Sequence, residues 1–429
     1  MNKILFNWLE DHNKLIQYLI GADIAIIDSY LAGLEIYHCI SKFVSVPVFI
    51  DDNNRLDFPR GIILNGSVYA ENLNYREYKG LKNLLGPKYI PLRDAFQNLQ
   101  EKKNPKDIGK IMVTFGGTDT KNLTQKILQF LINNYPSLKK YVILGNGFKN
   151  KDQIKKISGE KIKFIENADA GQMKEVMMKS DIAISSCGQT LYELAAVGVP
   201  TIGIGVAENQ RRNIEKFKEI GFLKYAGWWE DRDLLNNIAN QLELLDSHEA
   251  RLRVSQIGRN FVSNEGSPNA IDAILENYDQ VKIELIPADK THSNLLYAWV
   301  NEESVRKNSF NSEKIPFENH QRWFDEKLQS DTSYIYIGMK KQPIGQIRID
   351  IDDDSVAFLD YSIDKKHRGK GNGTELLRSL VKLLVKNKMG VKTLIGRVKH
   401  DNYPSQKAFE NCGFQKNMND KYVEFSLEL

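Results

Sequence analysis

His367-Arg368-Gly369-Lys370-Gly371-Asn372-Gly373-Thr374 is the stretch that decides how this chain is read. It follows an apolar run, Val356 to Ile363, that reads as a strand. It precedes Glu375 to Lys386, where Leu376, Leu377, Leu380, Leu383 and Leu384 recur at helical spacing. A glycine-rich turn between strand and helix leaves backbone N–H groups without partners at the positive end of the helix dipole. Small residues let an anion approach those groups. Arg368 and Lys370 add positive charge beside the nest. A plain surface turn closed by glycines uses the same residues, so the downstream sequence has to separate the two readings.

The chain of 429 residues is long enough for two or three domains, each burying its own core. A hydrophobic fraction of 41% and a charged fraction of 27% describe a soluble globular protein. The net charge of +4 is too small over this length to call for nucleic acid as a partner. Cys39, Cys187 and Cys412 lie far apart and form no metal-ligand pair, so reduced thiols, a cytoplasmic location and no metal are expected. No apolar run reaches the roughly 18 residues of a membrane span, and the N-terminus does not read as a signal peptide.

Along residues 1–100, Ile24 to Tyr30 and Val46 to Asp52 read as buried parallel strands that end in polar residues, with Gly61 to Asn65 as a third. Carboxylates at such ends either face the ligand crevice of an α/β sheet or serve as caps and turns. Leu84 to Arg93, with its Gly86-Pro87 and Ile90-Pro91 steps, reads as an ordered interdomain loop. A second block starts at Lys110. Strands are expected at Ile111–Phe115, Tyr141–Leu144, Lys161–Ile165, Asp181–Ser185 and Pro200–Gly205, with a helix from Thr120 and further helices near 231–244 and 247–262. Strand and helix alternate, which argues for a parallel sheet covered on both faces. Gly188 permits a tight strand-to-helix turn, Glu193 lies one helical turn inside, and the strand after Pro200 delivers Asn209-Gln210 to the same edge.

Residues 15–265 resemble the UDP-sugar hydrolases of pseudaminic acid biosynthesis and, more distantly, the transferase that adds N-acetylglucosamine to lipid-linked muramyl peptide. Asp28-Ser29-Tyr30, Asp51-Asp52, Leu85-Gly86-Pro87-Lys88-Tyr89 with Leu92-Arg93, Gly116-Gly117-Thr118-Asp119 and Ser185 to Gln210 carry the resemblance. It implies two Rossmann-like domains of the glycosyltransferase type B kind, the first incomplete, with a nucleotide sugar between them. Gly116, Gly117 and Gly188 would then flank its phosphates, Glu193 would hold the ribose, and Asn209 and Gln210 would touch the sugar. The chain departs from that family at one point: the hydrolases open with a Gly-His-x-x-Arg loop whose histidine activates water, and no Gly-His pair occurs here. Without that base, hydrolysis loses a factor of about 10² to 10⁴. Either the start lies too far downstream, in a chain otherwise able to hydrolyse and acetylate, or the first domain binds without hydrolysing.

The last 150 or so residues follow the order of a GNAT acetyltransferase, an α+β domain: strand, two helices, hairpin (Ser333 to Met339 and Pro343 to Ile351), glycine loop and helix, then two strands around a helix. Arg368-x-x-Gly371-x-Gly373 resembles the GNAT pyrophosphate loop, and Asn402, Ser405, Phe409 and Gly413-Phe414 resemble its second coenzyme A segment. The resemblance implies acetyl-CoA as co-substrate. Gly369, Lys370, Gly371, Asn372, Gly373 and Thr374 would lie at the pyrophosphate with Arg368, and Asn402 and Ser405 at the pantetheine and adenosine side. N–H groups near Tyr361, Ser362 and Ile363 would take the acetyl carbonyl and pantetheine. Many relatives carry, four residues before the Gly-Phe pair, a tyrosine that protonates the thiolate; Phe409 stands there, leaving Tyr403 or water. His320 and Glu302 are the candidate bases, with a packing role as the other reading of His320.

Asn301-Glu302-x-x-Val305-Arg306 and His320-x-x-Trp323-Phe324 resemble the amino-sugar N-acetyltransferases of the pseudaminic pathway. The expected division is 1–100, 101–279 and 280–429, the last domain acetylating a UDP-linked amino sugar beside a hydrolase-like half. A binding module without catalysis, or a protein N-terminus or small amine as acceptor, are the alternatives. Nothing in the residues sets an oligomeric state.

Overall fold

The computed structural model describes residues 3–157, 159 and 161–429. Among the described residues three sheets form. The first is parallel, with β1 (Ile24–Asp28), β2 (Val46–Ile50), β3 (Gly61–Asn65) and β4 (Leu81–Leu85) side by side in chain order. In β2, Val46 to Phe49 are all buried, as expected for a parallel strand covered on both faces. β4 corrects the expectation of a loop beginning at Leu84: Leu-Lys-Asn-Leu-Leu has little apolar pattern, and it is strand because β3 offers it a ladder. The turn follows at Gly86, whose φ of 89° suits glycine. One face of this sheet packs on helix Leu34–Phe43 through Ile36, Tyr37 and Ile40. The other packs on Ala270, Ala273 and Ile274 of helix Gly266–Val281, which returns from the end of the second block.

The second sheet is wholly parallel, in the order β10-β9-β8-β5-β6-β7. Its strands are β5 (Lys110–Thr114), β6 (Lys139–Leu144), β7 (Ile162–Glu166), β8 (Ile182–Ser186), β9 (Thr201–Gly205) and β10 (Leu223–Trp228). β10 is absent from the expected set. The helix expected from Thr120 begins at Leu123. The cause is Asp119, whose buried carboxylate accepts from the Leu123 and Thr124 N–H groups at 2.9 and 2.8 Å and so sets the first turn there. The winding order of the chain, not the strand direction, reverses between the parallel neighbours β5 and β8, which leaves a crevice at their carboxyl ends.

The third sheet runs β11-β12-β13-β14-β15-β17-β16. Its members are β11 (Glu284–Pro287), β12 (Ser333–Met339), β13 (Pro343–Ile351), β14 (Val356–Ile363), β15 (Thr393–Val398), β16 (Gln415–Met418) and β17 (Val423–Glu428). Only β14 and β15 are parallel neighbours here, and their register runs from Val356↔Thr393 to Leu359↔Gly396 and then stops. Leu359 and Ile363 of β14 face helices Asn372–Asn387 and Tyr403–Glu410 in one core. The opposite face of β12 packs on Leu296, Trp299 and Phe324 of the helices before it.

Helix Asn372–Asn387 also holds the third sheet to the first. Ser45 donates to Glu375 at 2.5 Å, the Arg378 guanidinium donates to the Ser41 and Lys42 carbonyls at 3.3 and 3.0 Å, and Lys382 pairs with Asp23. Among the described residues no helix is long and apolar enough to cross a membrane.

Candidate functional site

The glycine loop forms as the residue types require. Gly369 and Gly371 adopt φ of 71° and 79°, a region costly for any other residue, and a Cβ on either would meet nothing within 4 Å. Backbone at both is therefore open to a ligand. Helix Asn372–Asn387 starts directly after Gly371, so its first N–H groups point into that space. Buried Asn372 pins the loop from behind, donating to the His367 carbonyl at 2.8 Å. Gly373 plays a different part: its Cα lies against Tyr361, with Cε2 3.3 Å from where a Cβ would stand. Thr374 uses its carbonyl to accept from Cys412 Sγ at 3.1 Å.

Past Leu359 the ladder to β15 is broken while β14 stays paired to β13 through Ile363. The edge at Tyr361, Ser362 and Ile363 that faces β15 is thus open beside the loop. The Tyr361 hydroxyl lies 3.1 Å from Ser405 Oγ, and burial pushes the phenol well above its usual range. Asn402 caps helix Tyr403–Glu410 by accepting from the Ser405 N–H at 3.3 Å. Tyr403, on the same first turn, is 72% exposed.

Arg368 departs from expectation. Its Nη2 donates to Glu302 at 2.6 Å, its Nη1 to Ser304 Oγ at 2.5 Å and its Nε to the Ile363 carbonyl at 2.8 Å. The guanidinium fastens the loop to the start of helix Glu303–Asn308, leaving Lys370 and the helix terminus as the positive charge at the nest. Burial alone would raise the Glu302 carboxyl, but the Ser304 hydroxyl and Arg368 outweigh it and hold it at about 2. A carboxylate that acidic is a poor base near neutrality, which corrects the expectation for Glu302.

His320 needs correction as well. It is 2% exposed, stacks on Phe324 with ring centroids 6.0 Å apart, and places Nε2 3.2 Å from the Ser293 carbonyl. Burial lowers its pKa, so the ring is a neutral core residue. Phe409 fills the aromatic position expected of a tyrosine: it stacks on Phe425 at 5.0 Å, and its Cζ lies 2.3 Å from where a Cβ on Gly396 would stand.

In the second sheet, the loops after β5 and β8 flank the reversal point, placing Gly116 and Gly117 on one side and Gly188 on the other. A Cβ on Gly116 or Gly117 would meet nothing within 4 Å, whereas one on Gly188 would lie 3.6 Å from Gln210 Nε2. Gln210 is thus brought to Gly188, its Oε1 accepting from the Val206 N–H at 3.1 Å, and Asn209 beside it is exposed. Glu193 is not free for a ribose. It is 4% exposed, and Arg93 donates to both its oxygens, Nε at 2.6 Å and Nη2 at 2.8 Å. The carboxylate thereby ties the interdomain segment to helix Thr190–Val197. Only the tertiary fold reveals that pairing, although Leu92-Arg93 already stood out in the sequence. Tyr192, on the same helix, accepts from the Val68 N–H at 3.1 Å and joins the first two blocks. Among the described residues no cluster of three or more His, Cys, Asp or Glu is placed to hold a metal ion.

Residues 282–415 match the acetyltransferase (GNAT) domain family. Uncharacterized protein MJ1062 of Methanocaldococcus jannaschii is 25% identical over 98% of this chain and 87% of its own length. The spore coat polysaccharide biosynthesis protein SpsG of Bacillus subtilis is 26% identical over 51% of this chain and 63% of its own. The Helicobacter pylori pseudaminic acid cytidylyltransferase and UDP-2,4-diacetamido-2,4,6-trideoxy-beta-L-altropyranose hydrolase is 23% identical over 51% of this chain and 41% of its own. The chain therefore spans less than two thirds of these last two proteins. Among solved structures, the AAC(6')-Ib complex with paromomycin and acetyl-CoA aligns at 20% identity over 34% of this chain and 93% of that one, with a TM-score of 0.32. The C-terminal part of the chain is a GNAT acetyltransferase domain, and the N-terminal half is similar to sugar biosynthesis proteins.

Proposed function

We propose that the chain transfers an acetyl group from acetyl-CoA to the amine of a UDP-linked amino sugar, in the synthesis of a nonulosonic acid or another surface glycan. The division proposed is 280–429 for transfer, with 1–100 and 101–279 gripping the nucleotide sugar. One observation carries the acetyl-CoA part: open backbone at Gly369 and Gly371, the N-terminus of helix Asn372–Asn387 and the unpaired β14 edge lie in one continuous region. That region fits a diphosphate leading to a thioester. Gly369 to Gly373 would bind the diphosphate with Lys370, Asn402 and Ser405 would flank the pantetheine, and N–H groups at Tyr361 to Ile363 would steady the acetyl oxygen. The thioester supplies the activated acyl group; the protein supplies position and exclusion of water.

For the UDP-sugar part, similarity of the N-terminal half to the hydrolase and the spore coat protein supports a nucleotide sugar. The glycine loops at the β5/β8 reversal are where such a ligand binds in α/β sheets. Calorimetric titration with CoA, then mass spectrometry of UDP-amino sugars incubated with acetyl-CoA, tests the reading. A CoA heat abolished by Gly371→Val and one added acetyl group on a UDP-amino sugar are expected. No CoA heat overturns the transferase part, and acetylation of other amines alone overturns the sugar part.

A further inference from the structure

Lys121 lies two residues past Asp119, in the tight turn that carries the chain from the glycine loop after β5 into helix Leu123–Asn134. Its backbone is held on both sides. Asp119 and Asn122 adopt φ of 39° and 53°, a left-handed conformation uncommon for residues with a Cβ. The Asn122 N–H donates to the Asp119 carbonyl at 3.0 Å, and the Asn122 side chain accepts from Asn150 at 3.1 Å. The Lys121 ammonium has no such commitment. Among the described residues it makes no ion pair and no hydrogen bond, and it rests over the indole of Trp229, 3.9 Å from the ring centroid.

Trp229 comes from the far side of the crevice. It stands just past β10, and its N–H donates to the Gly205 carbonyl at the end of β9 at 3.0 Å. Trp228 fixes the same turn, its Cε3 lying 2.7 Å from where a Cβ on Gly205 would stand. In the order β10-β9-β8-β5, three strand spacings, about 14 Å, separate β10 from β5. The Lys121–Trp229 contact therefore crosses the carboxyl ends of β8 and β9, whose loops carry Gly188 and Gln210. Two guanidinium groups nearby are already taken: Glu193 holds Arg93, and Glu208 holds Arg211 at 2.7 Å against the Trp228 ring.

We infer that Lys121 and Trp229 form a clasp across the crevice, which a nucleoside diphosphate opens by drawing the ammonium off the indole and onto its phosphates. This deepens the nucleotide-sugar reading and rests on it. A ring face holds a solvated ammonium weakly, because only the quadrupole of the ring attracts it. A phosphate oxygen offers a full opposite charge and a charge-assisted hydrogen bond. The fixed backbone keeps Lys121 close behind Gly116 and Gly117, so its side chain changes partner by turning about its own bonds. The indole thus parks the charge at the mouth of the site without the strong competition a carboxylate would give.

The test is calorimetry with UDP and with uridine on wild type, Lys121→Ala, Lys121→Arg and Trp229→Leu, with thermal midpoints to show that each variant folds. UDP binding is expected to weaken about 10- to 100-fold in Lys121→Ala, and to recover for the most part in Lys121→Arg. Its salt dependence should become shallower in Lys121→Ala, while uridine, which lacks phosphate, binds both alike. Trp229→Leu removes the resting place and should tighten UDP about two- to fivefold. UDP should also change the indole emission of the wild type more than that of Trp229→Leu. Undiminished UDP binding in Lys121→Ala, or an equal loss of uridine, overturns the assignment of Lys121. Weaker UDP binding in Trp229→Leu overturns the clasp. No UDP heat in the wild type overturns the nucleotide-sugar reading itself.

Discussion

Ser45 and Glu375 meet at 2.5 Å, and this buried contact joins the first sheet to the first turn of the helix that opens at the glycine loop. The proposed diphosphate site and the interface between the chain's halves thus share one rigid element. Arg378, on the same helix, reinforces the contact by pairing with Glu375 at 3.3 Å.

Removing Glu375 is therefore expected to loosen both. Glu375→Ala strands Ser45 and takes the carboxylate partner from Arg378, at a cost of about 1.5–3 kcal/mol; Ser45→Ala costs about 1 kcal/mol. The double variant should cost less than the sum, since the two share one contact. Urea denaturation measures all three, and full additivity would rule out the coupling.

Acid should weaken the loop's attachment in a defined window. The Glu302 carboxyl is held at about 2 against an ordinary 4.5, so its stabilisation is complete above pH 4.5 and is withdrawn as pH falls toward 2. Arg368→Ala removes one of the two groups that hold it down. Stability at neutral pH is expected to drop and its slope between these limits to flatten, read from urea midpoints across pH. An unchanged slope would show that the ion pair does not form in solution.

His320 gives a second, separate window. Burial lowers its pKa below the ordinary 6.5, so the neutral ring favours the fold: stability is full above pH 6.5 and declines as pH falls through the folded value. His320→Ala opens a cavity among Tyr297, Trp323 and Phe324 and is expected to cost about 2–4 kcal/mol while erasing this pH dependence. The acetyl-transfer rate of the folded variant, measured well above pH 6.5, should stay within about threefold. A loss of two orders of magnitude, the scale of a missing base, would restore His320 to the chemistry.

Restoring the tyrosine that many relatives carry should harm rather than help. A hydroxyl on Phe409 would enter a site 2% exposed, walled by Phe414, Phe425 and the backbone of Gly396. Phe409→Tyr is expected to destabilise by about 1–3 kcal/mol without raising kcat, and Gly396→Ala to do similar damage by driving a Cβ into the ring. Thermal denaturation with thiol-release kinetics checks both; a faster Phe409→Tyr enzyme would contradict the packing argument.

Residue order alone carried the features whose causes are local. Val46 to Ile50 announces a covered strand because all its side chains are apolar or branched, and Gly369 to Gly373 announces a backbone turn because only glycine relaxes there and a helix follows within three residues. The tertiary fold decided everything that depends on a distant partner. β4 becomes strand because β3 lies beside it, and β5 adjoins β8 because the chain crosses back. Glu193 is claimed by Arg93, 100 residues earlier, and Glu302 by Arg368, 66 residues later. Side-chain period and backbone angles are properties of a short window. The partner of a charge, and hence whether it binds, catalyses or merely fastens, is settled only when remote segments close on one another.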